Sequence, residues 1–210
     1  MIRILIADDH AIFREGLKHI LSECADVNVA AEAKNGQEVL EKIWHDKYDM
    51  VLLDISMPGM SGLEVLKQLK IEKPKLPVLV LSMHPEEQYA VRVLRAGASG
   101  YLTKESAPDE LITAIRKISQ GRKYITSSLA ERLASEMEID SEKPPHETLS
   151  DREYQVLRKI AAGKTITQIA ENLSLSIKTV STYRTRIMEK MNMKTTAELM
   201  HYAINHHLID

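Results

Sequence analysis

The first half of this chain alternates short apolar runs with amphipathic stretches, and this alternation constrains the fold more than any other feature. The runs are short, often β-branched and flanked by turn residues, which is typical of buried strands. They are Ile2–Ala7, Val27–Ala31, Met50–Asp54, Pro77–Ser82 and Gly100–Leu102. Because strands that alternate with helices form parallel βαβ units, we predict a doubly wound α/β domain with helices on both faces of the sheet.

Apolar residues recur at helical spacing between these runs, so helices are predicted there. The stripes are Phe13/Leu17/Ile20/Leu21, Val39/Leu40/Ile43/Trp44, Leu63/Leu66/Leu69, Val91/Val93/Leu94 and Leu111/Ile112/Ile115/Ile118. Trp44, as a member of the second stripe, is predicted to lie in the core. The last of these helices has Pro108 in its first turn and Gly121 as its stop.

The pattern weakens after Gly121. Residues 127–137 could form a short helix, whereas residues 136–147 are acidic and contain Pro144-Pro145. We therefore predict three segments: an α/β domain at 1–121, a linker with one short helix at 122–147, and a small all-α domain at 148–210. In the last segment no strand-like run remains, and the capping sequences that begin at Ser150, Ser176 and Thr195 follow one another closely.

Charge and cysteine usage narrow the class of protein. The net charge is −2, but the residues from Leu149 onward carry +3 and those before it carry −5, which suits a basic half that meets a polyanion. Cys24 is the only cysteine, so an internal disulfide or a cysteine metal cluster is excluded. The N-terminus becomes acidic at Asp8 and Asp9, too early for a signal peptide, and no apolar run approaches membrane-spanning length. We expect a cytoplasmic protein that does not associate with membranes.

Polar residues follow four of the predicted strands. Asp8 and Asp9 end the first strand, Asp54 ends the third, Ser82 ends the fourth, and Lys104 follows the fifth. Because ligands bind outside the carboxyl ends of parallel strands, these side chains are predicted to converge at one edge of the sheet. Clustered carboxylates need a cation, and oxygen ligands suit Mg²⁺. With Mg²⁺ bound, Asp54 could attack a phosphoryl group whose oxygens Lys104 and Ser82 hold.

This pattern, with Met57-Pro58-Gly59 after Asp54, resembles the receiver domain of two-component response regulators over roughly the first 120 residues. The resemblance implies a flavodoxin-like sheet in which Asp54 accepts phosphate from a sensor histidine kinase. It implies that Asp9, Asp54 and the backbone carbonyl of Ser56 bind Mg²⁺, with Asp8 acting mainly through water.

The same resemblance implies that Ser82 turns towards the phosphoryl group and that Tyr101 swings inward as the aromatic half of a switch. The sequence departs from the family at one place, because many receivers have proline after the lysine and this chain has Glu105.

The last third resembles the helix-turn-helix output domain of LuxR/FixJ (NarL-like) regulators. The residues that carry the resemblance are Leu149–Glu153, Val156-Leu157, Gly163–Thr165, Ile169-Ala170, Leu175–Val180, Ile187 and Lys190. The spacing in the third helix lets Ile177, Val180, Ile187 and Met191 pack inward, while Lys178, Ser181, Thr182, Thr185, Arg186 and Glu189 face outward.

An outward face with basic and hydroxyl side chains suits a helix in the DNA major groove. The DNA-binding candidates are Lys178, Thr179, Ser181, Thr182, Tyr183, Arg184, Thr185 and Arg186. The family implies backbone contacts by Lys178, Tyr183, Arg184 and Arg186, with the three hydroxyl residues Ser181, Thr182 and Thr185 nearer the bases. Tyr183 stands where a histidine is common.

The expected function is a phosphorylation-dependent transcriptional regulator that binds double-stranded promoter DNA as a homodimer and is not an enzyme acting on other substrates. Three other functions are compatible with part of this pattern. A Mg²⁺-dependent hydrolase could also form an aspartyl-phosphate, and the DNA-binding domain could act constitutively with the receiver as a scaffold. RNA binding ranks last, since no aromatic platform is evident. His10, His84, His206 and His207 lack ligand-like spacing and are predicted to be surface or packing residues.

Overall fold

The computed structural model describes residues 1–106, 108–138 and 144–209, without the side chains of 132 and 135–138. Its described residues form two compact units, Met1–Ala134 and Ser135–Asp210. The predicted acidic linker falls partly on residues 139–143, which lie outside the described residues. Each unit is considered by itself below.

The first unit contains a parallel sheet of five strands in the order β2-β1-β3-β4-β5. The strands are β1 (Ile2–Ala7), β2 (Val27–Ala33), β3 (Met50–Asp54), β4 (Val78–Ser82) and β5 (Gly100–Thr103). The predicted doubly wound α/β class is confirmed, and the strand bounds differ from the prediction by two residues at most. Since β1 and β3 are neighbours, the acidic residues that follow them are brought side by side.

The helices of this unit cover both faces of the sheet. They are α1 (Ala11–Ser22), α2 (Gly36–His45), α3 (Gly62–Glu72), α4 (Glu86–Arg95) and α5 (Pro108–Ser119). α1 and α5 pack on one face, where Leu17 and Ile115 contact the cluster that contains Ile4 and Leu52. Strand residues that alternate with these, such as Val51, are equally buried, as a sheet covered on both faces requires.

The prediction that Trp44 lies in the core is wrong. Its residue is 70% exposed, and its indole Nε1 donates a hydrogen bond to Oε2 of Glu72 at 2.9 Å. The apolar stripe of α2 ends at Val39, Leu40 and Ile43, all of which are buried. Trp44 lies one residue beyond the edge of that stripe, so its polar N–H reaches α3 while its ring remains in solvent.

After α5 the chain runs beside the sheet edge, where Tyr124 forms an isolated parallel bridge with Gly100. Helix α6 (Ser127–Glu138) follows where a short helix was predicted, and Leu129 on it is buried. A 3₁₀ turn at Pro145–Thr148 precedes the helices of the second unit.

The described residues of the second unit form four further helices: α7 (Asp151–Ala161), α8 (Ile166–Leu173), α9 (Ile177–Lys190) and α10 (Thr196–Asn205). Capping boxes begin α7 at Ser150 and α8 at Thr165, and the Ser176 side chain accepts the N–H of Thr179 at the start of α9. These caps satisfy N–H groups that a helix leaves unpaired at its first turn. The tight turn between α8 and α9 contains Ser174 in a left-handed conformation with φ 54°.

The helices enclose a small apolar core that includes Val156, Leu157, Val180 and Ile187. The prediction that Ile177 packs inward is wrong, because this residue is 54% exposed. Ile177 is the first residue of α9, and helical side chains lean towards the N-terminus. Its side chain therefore points past the helix end. Among the described residues, no helix combines the length and apolar character needed to cross a membrane.

Candidate acidic pocket and nucleic-acid interface

The acidic pocket lies at the carboxyl ends of β1 and β3. Asp8 and Asp54 are buried, with 1% and 2% of each residue exposed, whereas Asp9 is exposed. One potential ligand atom from each of Asp8, Asp9, His10 and Asp54 lies within 4.8 Å of the others. The predicted convergence of the three aspartates is thus present in the structure, and His10 joins them.

Lys104 supplies the positive charge inside this pocket. Its Nζ lies 2.6 Å from Oδ2 of Asp8 and 2.9 Å from Oδ2 of Asp54, and its side chain is only 4% exposed. The ammonium also lies 4.7 Å from the centre of the Phe13 ring. Two buried carboxylates therefore share one ammonium, which leaves the pocket with an excess of negative charge.

The donor set fits a hard divalent cation. Oδ2 of Asp8 is buried and forms no hydrogen bond within the described part of the chain, so its contact with Lys104 is an ion pair without hydrogen-bond geometry. Burial raises the pKa of the Asp54 carboxyl above its ordinary value, and the charge of Asp8 raises it further, against the opposing effect of Lys104. A bound cation would favour the ionised form of both acids and offset this negative charge.

The loop after β3 holds Asp54 in place by a close backbone approach. The Gly62 amide donates to the carbonyl of Ile55 at 3.0 Å, and a Cβ added to Gly62 would lie 1.9 Å from the carbonyl oxygen of Asp54. Only glycine fits there. Ser61 caps α3 through a capping box with Glu64, which fixes the far end of the loop. The Asp54 carboxylate in turn accepts the N–H of Ser56 at 3.1 Å through Oδ1.

Ser82 and Tyr101 both contact the backbone of His84. The Ser82 hydroxyl accepts the N–H of His84 at 3.1 Å, and the Tyr101 hydroxyl donates to the carbonyl of His84 at 2.7 Å. Both residues are buried, and the Tyr101 side chain already lies in the inward position. The His84 ring stacks on Tyr89 with centroids 5.0 Å apart. The β4–α4 loop therefore links the two predicted switch residues.

Arg14 is a site residue that the sequence reasoning missed. It is buried on α1, its Nη1 donates to the backbone carbonyl of Asp8 at 2.7 Å, and its Nε donates to Oε2 of Glu32 at 2.9 Å. Arg14 thus ties the strand end that carries the acids to β2. A charged residue between Phe13 and Leu17 of the apolar stripe was the available signal, although its partners could not be read from the sequence.

The outward face of α9 agrees with the predicted pattern. Lys178, Ser181, Thr182, Thr185, Arg186 and Glu189 are all exposed. The hydroxyls of Thr182 and Thr185 donate to the backbone carbonyls of Lys178 and Ser181 at 3.0 and 3.2 Å. Their oxygens remain on the exposed surface.

The other three DNA-binding candidates lie at the edges of this face. Thr179, Tyr183 and Arg184 are half-buried. Nη2 of Arg184 donates to the Thr196 hydroxyl at 3.0 Å, which directs this guanidinium towards the start of α10. The Thr179 hydroxyl lies 2.7 Å from that of Ser176 at the cap of α9. These two side chains therefore also stabilise the helical unit.

Comparisons with known proteins agree with both halves. Residues 4–116 match the response regulator receiver domain family, and residues 147–203 match the luxR family of bacterial regulatory proteins. The response regulator UvrY of Escherichia coli (strain K12) is 37% identical over 99% of this chain and 96% of its own length. The oxygen regulatory protein NreC of Staphylococcus epidermidis is 38% identical over 99% of each chain. The structure of RcsB from Salmonella enterica serovar Typhimurium, bound to promoter rprA in the presence of the phosphomimetic BeF₃⁻, has a TM-score of 0.65 at 28% identity and covers 96% of this chain and 98% of RcsB.

A parallel sheet with an acidic pocket, followed by a helical unit with an exposed, capped helix, defines the class of proteins that join a receiver to a helix-turn-helix domain. Within that class, the chain belongs to the response regulators whose second domain is a DNA-binding domain of the luxR family.

Proposed function

We propose that a sensor histidine kinase phosphorylates Asp54 and that this modification controls promoter binding by α9. The observation that carries the proposal is the buried pair of carboxylates, Asp8 and Asp54, held by the single ammonium of Lys104. An excess of buried negative charge destabilises a fold. A pocket that keeps such an excess is therefore a candidate for a function in which a cation binds there. A phosphoacceptor site has such a function.

Mg²⁺ would be held by the carboxylates of Asp9 and Asp54 and the backbone carbonyl of Ser56, with Asp8 acting through water. When bound, the ion neutralises charge on the transferred phosphoryl group. Asp54 supplies the attacking carboxylate oxygen, and the bond from phosphorus to the kinase histidine nitrogen breaks. Lys104, 2.9 Å from Asp54, is placed to hold a phosphoryl oxygen once the new bond forms.

The β4–α4 loop would transmit the modification. The Ser82 hydroxyl accepts the N–H of His84, so a rotation of the Ser82 side chain towards a phosphoryl oxygen would break this contact with the loop. Because Tyr101 donates to the carbonyl of the same residue, a shift of the loop also shifts the partner of this buried ring. Phosphorylation would therefore change the populations of two loop conformations.

In the second unit, α9 would lie in the major groove of promoter DNA. Lys178 and Arg186 are exposed and suited to phosphates, and the hydroxyls on the same face suit base edges. We propose that two chains associate as a homodimer on phosphorylation and place two such helices on adjacent half-sites. The domain bounds are proposed as 1–121, 122–147 and 148–210. The protein would act in the cytoplasm and would not turn over a separate substrate.

The test is a titration of a genomic promoter pool with and without a small-molecule phosphodonor and Mg²⁺. It compares wild type, Asp54→Ala and, as a matched control, Asp46→Ala, whose carboxylate lies on the surface at the end of α2. We expect the donor to tighten binding by wild type and by the Asp46 variant and to leave the Asp54 variant unchanged. Equal binding by all three proteins with and without the donor would refute control by Asp54 and favour constitutive DNA binding.

The contacts on α9 are tested separately by the dependence of DNA affinity on salt. We expect Lys178→Ala to reduce the slope of log affinity against log salt by about 1. The control is Lys75→Ala, an exposed lysine of the first unit that should leave the slope unchanged. An unchanged slope for Lys178→Ala would remove this residue from the phosphate contacts.

A further inference from the structure

His10 lies among the pocket carboxylates in a way that the proposed Mg²⁺ site does not require. It occupies the N-cap position of α1, next to the carboxyl end of β1, without a side-chain capping hydrogen bond. Its Nδ1 lies 3.1 Å from Oδ1 of Asp8 and 3.1 Å from Oδ1 of Asp9. Its side chain is 62% exposed, so an ion can reach it from solvent. Neither the receiver pattern nor the comparisons give this residue a role.

These separations match the geometry of ligands that share one metal ion. A nitrogen and an oxygen that each lie about 2.0–2.2 Å from an ion, at angles between octahedral and tetrahedral, are roughly 2.8–3.6 Å apart. The distances of 3.1 Å from Nδ1 to the two carboxylates fall in that range. The 4.8 Å span that includes Asp54 also allows one ion to contact all four groups after small side-chain rotations.

A second observation points to a ligand for this pocket. Oδ2 of Asp8 is buried and has no hydrogen bond within the described residues, although native proteins rarely leave such an atom unpaired. The ammonium of Lys104 is close to it but is shared with Asp54. The pocket therefore has excess negative charge, and its buried Asp8 Oδ2 is held only by an ion pair without hydrogen-bond geometry.

We propose that His10 is a nitrogen ligand that makes this pocket bind a first-row transition ion such as Co²⁺ or Zn²⁺, and that such an ion competes with Mg²⁺. The proposal rests on the divalent site proposed above and adds a residue and a class of ion to it. Imidazole nitrogen suits Co²⁺ and Zn²⁺, whereas Mg²⁺ prefers oxygen, so His10 should strengthen binding of the first class only.

The alternative is that the imidazole is a hydrogen-bonding partner of Asp8 and Asp9 and never a ligand. The two roles predict different effects of removing the ring. If His10 is a ligand, its removal lowers the affinity for Co²⁺ and leaves the affinity for Mg²⁺ unchanged. If it only forms hydrogen bonds with the carboxylates, its removal changes the affinity for both ions by the same factor, or raises both affinities because the carboxylates are released.

The experiment measures Co²⁺ and Mg²⁺ affinity of the full chain by calorimetry at about pH 8, where a histidine side chain is ordinarily neutral. It compares wild type, His10→Ala and His201→Ala, the last removing an exposed histidine of α10 as a matched control. Asp9→Asn serves as a variant that should lose affinity for both ions. The visible absorption of bound Co²⁺ reports a change in its ligands independently of affinity.

Loss of a residue that only orients a metal ligand typically lowers metal affinity about 10–100-fold. Loss of a ligand itself should therefore lower the Co²⁺ affinity at least about tenfold. We expect that loss, and a changed Co²⁺ spectrum, for His10→Ala alone among the histidine variants, with Mg²⁺ affinity changed less than about threefold. Equal effects on both ions, or no effect on Co²⁺, would overturn the proposal while leaving the Mg²⁺ site intact. Wild type that binds neither ion would overturn the proposed cation site as well.

Discussion

Removing the Lys104 ammonium should destabilise the first unit strongly, because it leaves the carboxylates of Asp8 and Asp54 buried without a cation. Counting formal charges, the three buried groups of the metal-free wild type sum to −1. The Lys104→Met variant raises the excess to −2, whereas Asp54→Asn reduces it to zero and leaves a complete Asp8–Lys104 pair. Lys104→Met should therefore lower the stability of the first unit, whereas Asp54→Asn should not.

The magnitude follows from the burial of the pair. The lysine side chain is 4% exposed and both carboxylate side chains are 2% exposed or less, so solvent screens them weakly. Removing one partner of a buried ion pair costs about 3–5 kcal/mol. With a urea m value of about 2 kcal/mol/M, Lys104→Met should lower the midpoint of unfolding of this unit by roughly 2 M. Asp54→Asn should leave the midpoint unchanged or raise it slightly.

The pH dependence has a definite sign. The pKa of Asp54 is already raised by burial, and losing Lys104 removes a charge that lowers it. A carboxyl with a raised pKa binds more protons in the folded state than in the unfolded state. Its contribution to stability therefore falls as pH rises from its ordinary pKa to its raised pKa. The deficit of Lys104→Met should thus be smaller at about pH 5 than at about pH 8.

Hydrogen exchange during urea unfolding is the suitable assay, since it follows each unit of the full chain separately. Lys70→Met is the matched control, because within the described residues the half-buried Lys70 ammonium donates to a neutral group, the backbone carbonyl of Leu76. The double variant Lys104→Met/Asp54→Asn should recover part of the stability lost in Lys104→Met. If Lys104→Met loses no more stability than Lys70→Met, or if its deficit does not shrink at low pH, the charge reasoning is refuted.

Two further predictions concern backbone and electrostatic features outside this ion pair. Gly62→Ala should destabilise the first unit by about 2 kcal/mol or more in the same exchange assay, because the added Cβ would lie 1.9 Å from the Asp54 carbonyl oxygen. A loss of stability below about 0.5 kcal/mol would contradict the close approach. In the second unit, burial acts to raise the pKa of Glu153, but hydrogen bonds from Lys190 and Ser150 lower it overall. The stability from Glu153 is therefore present above the ordinary pKa of a glutamate and lost as pH falls through the lowered value. Lys190→Met should reduce this loss on acidification, measured as the unfolding midpoint between about pH 3 and pH 7, and an unchanged pH dependence would contradict the pairing.

The strand positions and the meeting of the acids at one sheet edge could be predicted, because the strands follow from short-range signals and parallel strands share that edge. An apolar run of five or six residues that ends in Asp8 or Asp54 predicts a buried strand, and it places the aspartate at the carboxyl end of that strand. The edge of a helical stripe is harder to predict. Ile43 and Trp44 are consecutive and both fit the spacing in α2, yet Ile43 is buried and Trp44 is exposed. Only the neighbouring helix decides how wide the buried stripe becomes.

The polar contacts that complete the pocket follow the same logic. Arg14 donates to a residue six positions away and to Glu32 on β2, and no local pattern predicts such a pairing. His10 is adjacent to the acids in sequence, but sequence alone does not say whether its ring faces them. Residue identity was therefore enough to predict that Asp8, Asp9, Asp54 and Lys104 meet in one pocket, whereas its charge balance depends on tertiary contacts. That balance, two buried carboxylates for one ammonium, is what makes a cation the expected third partner of Asp54 and Lys104.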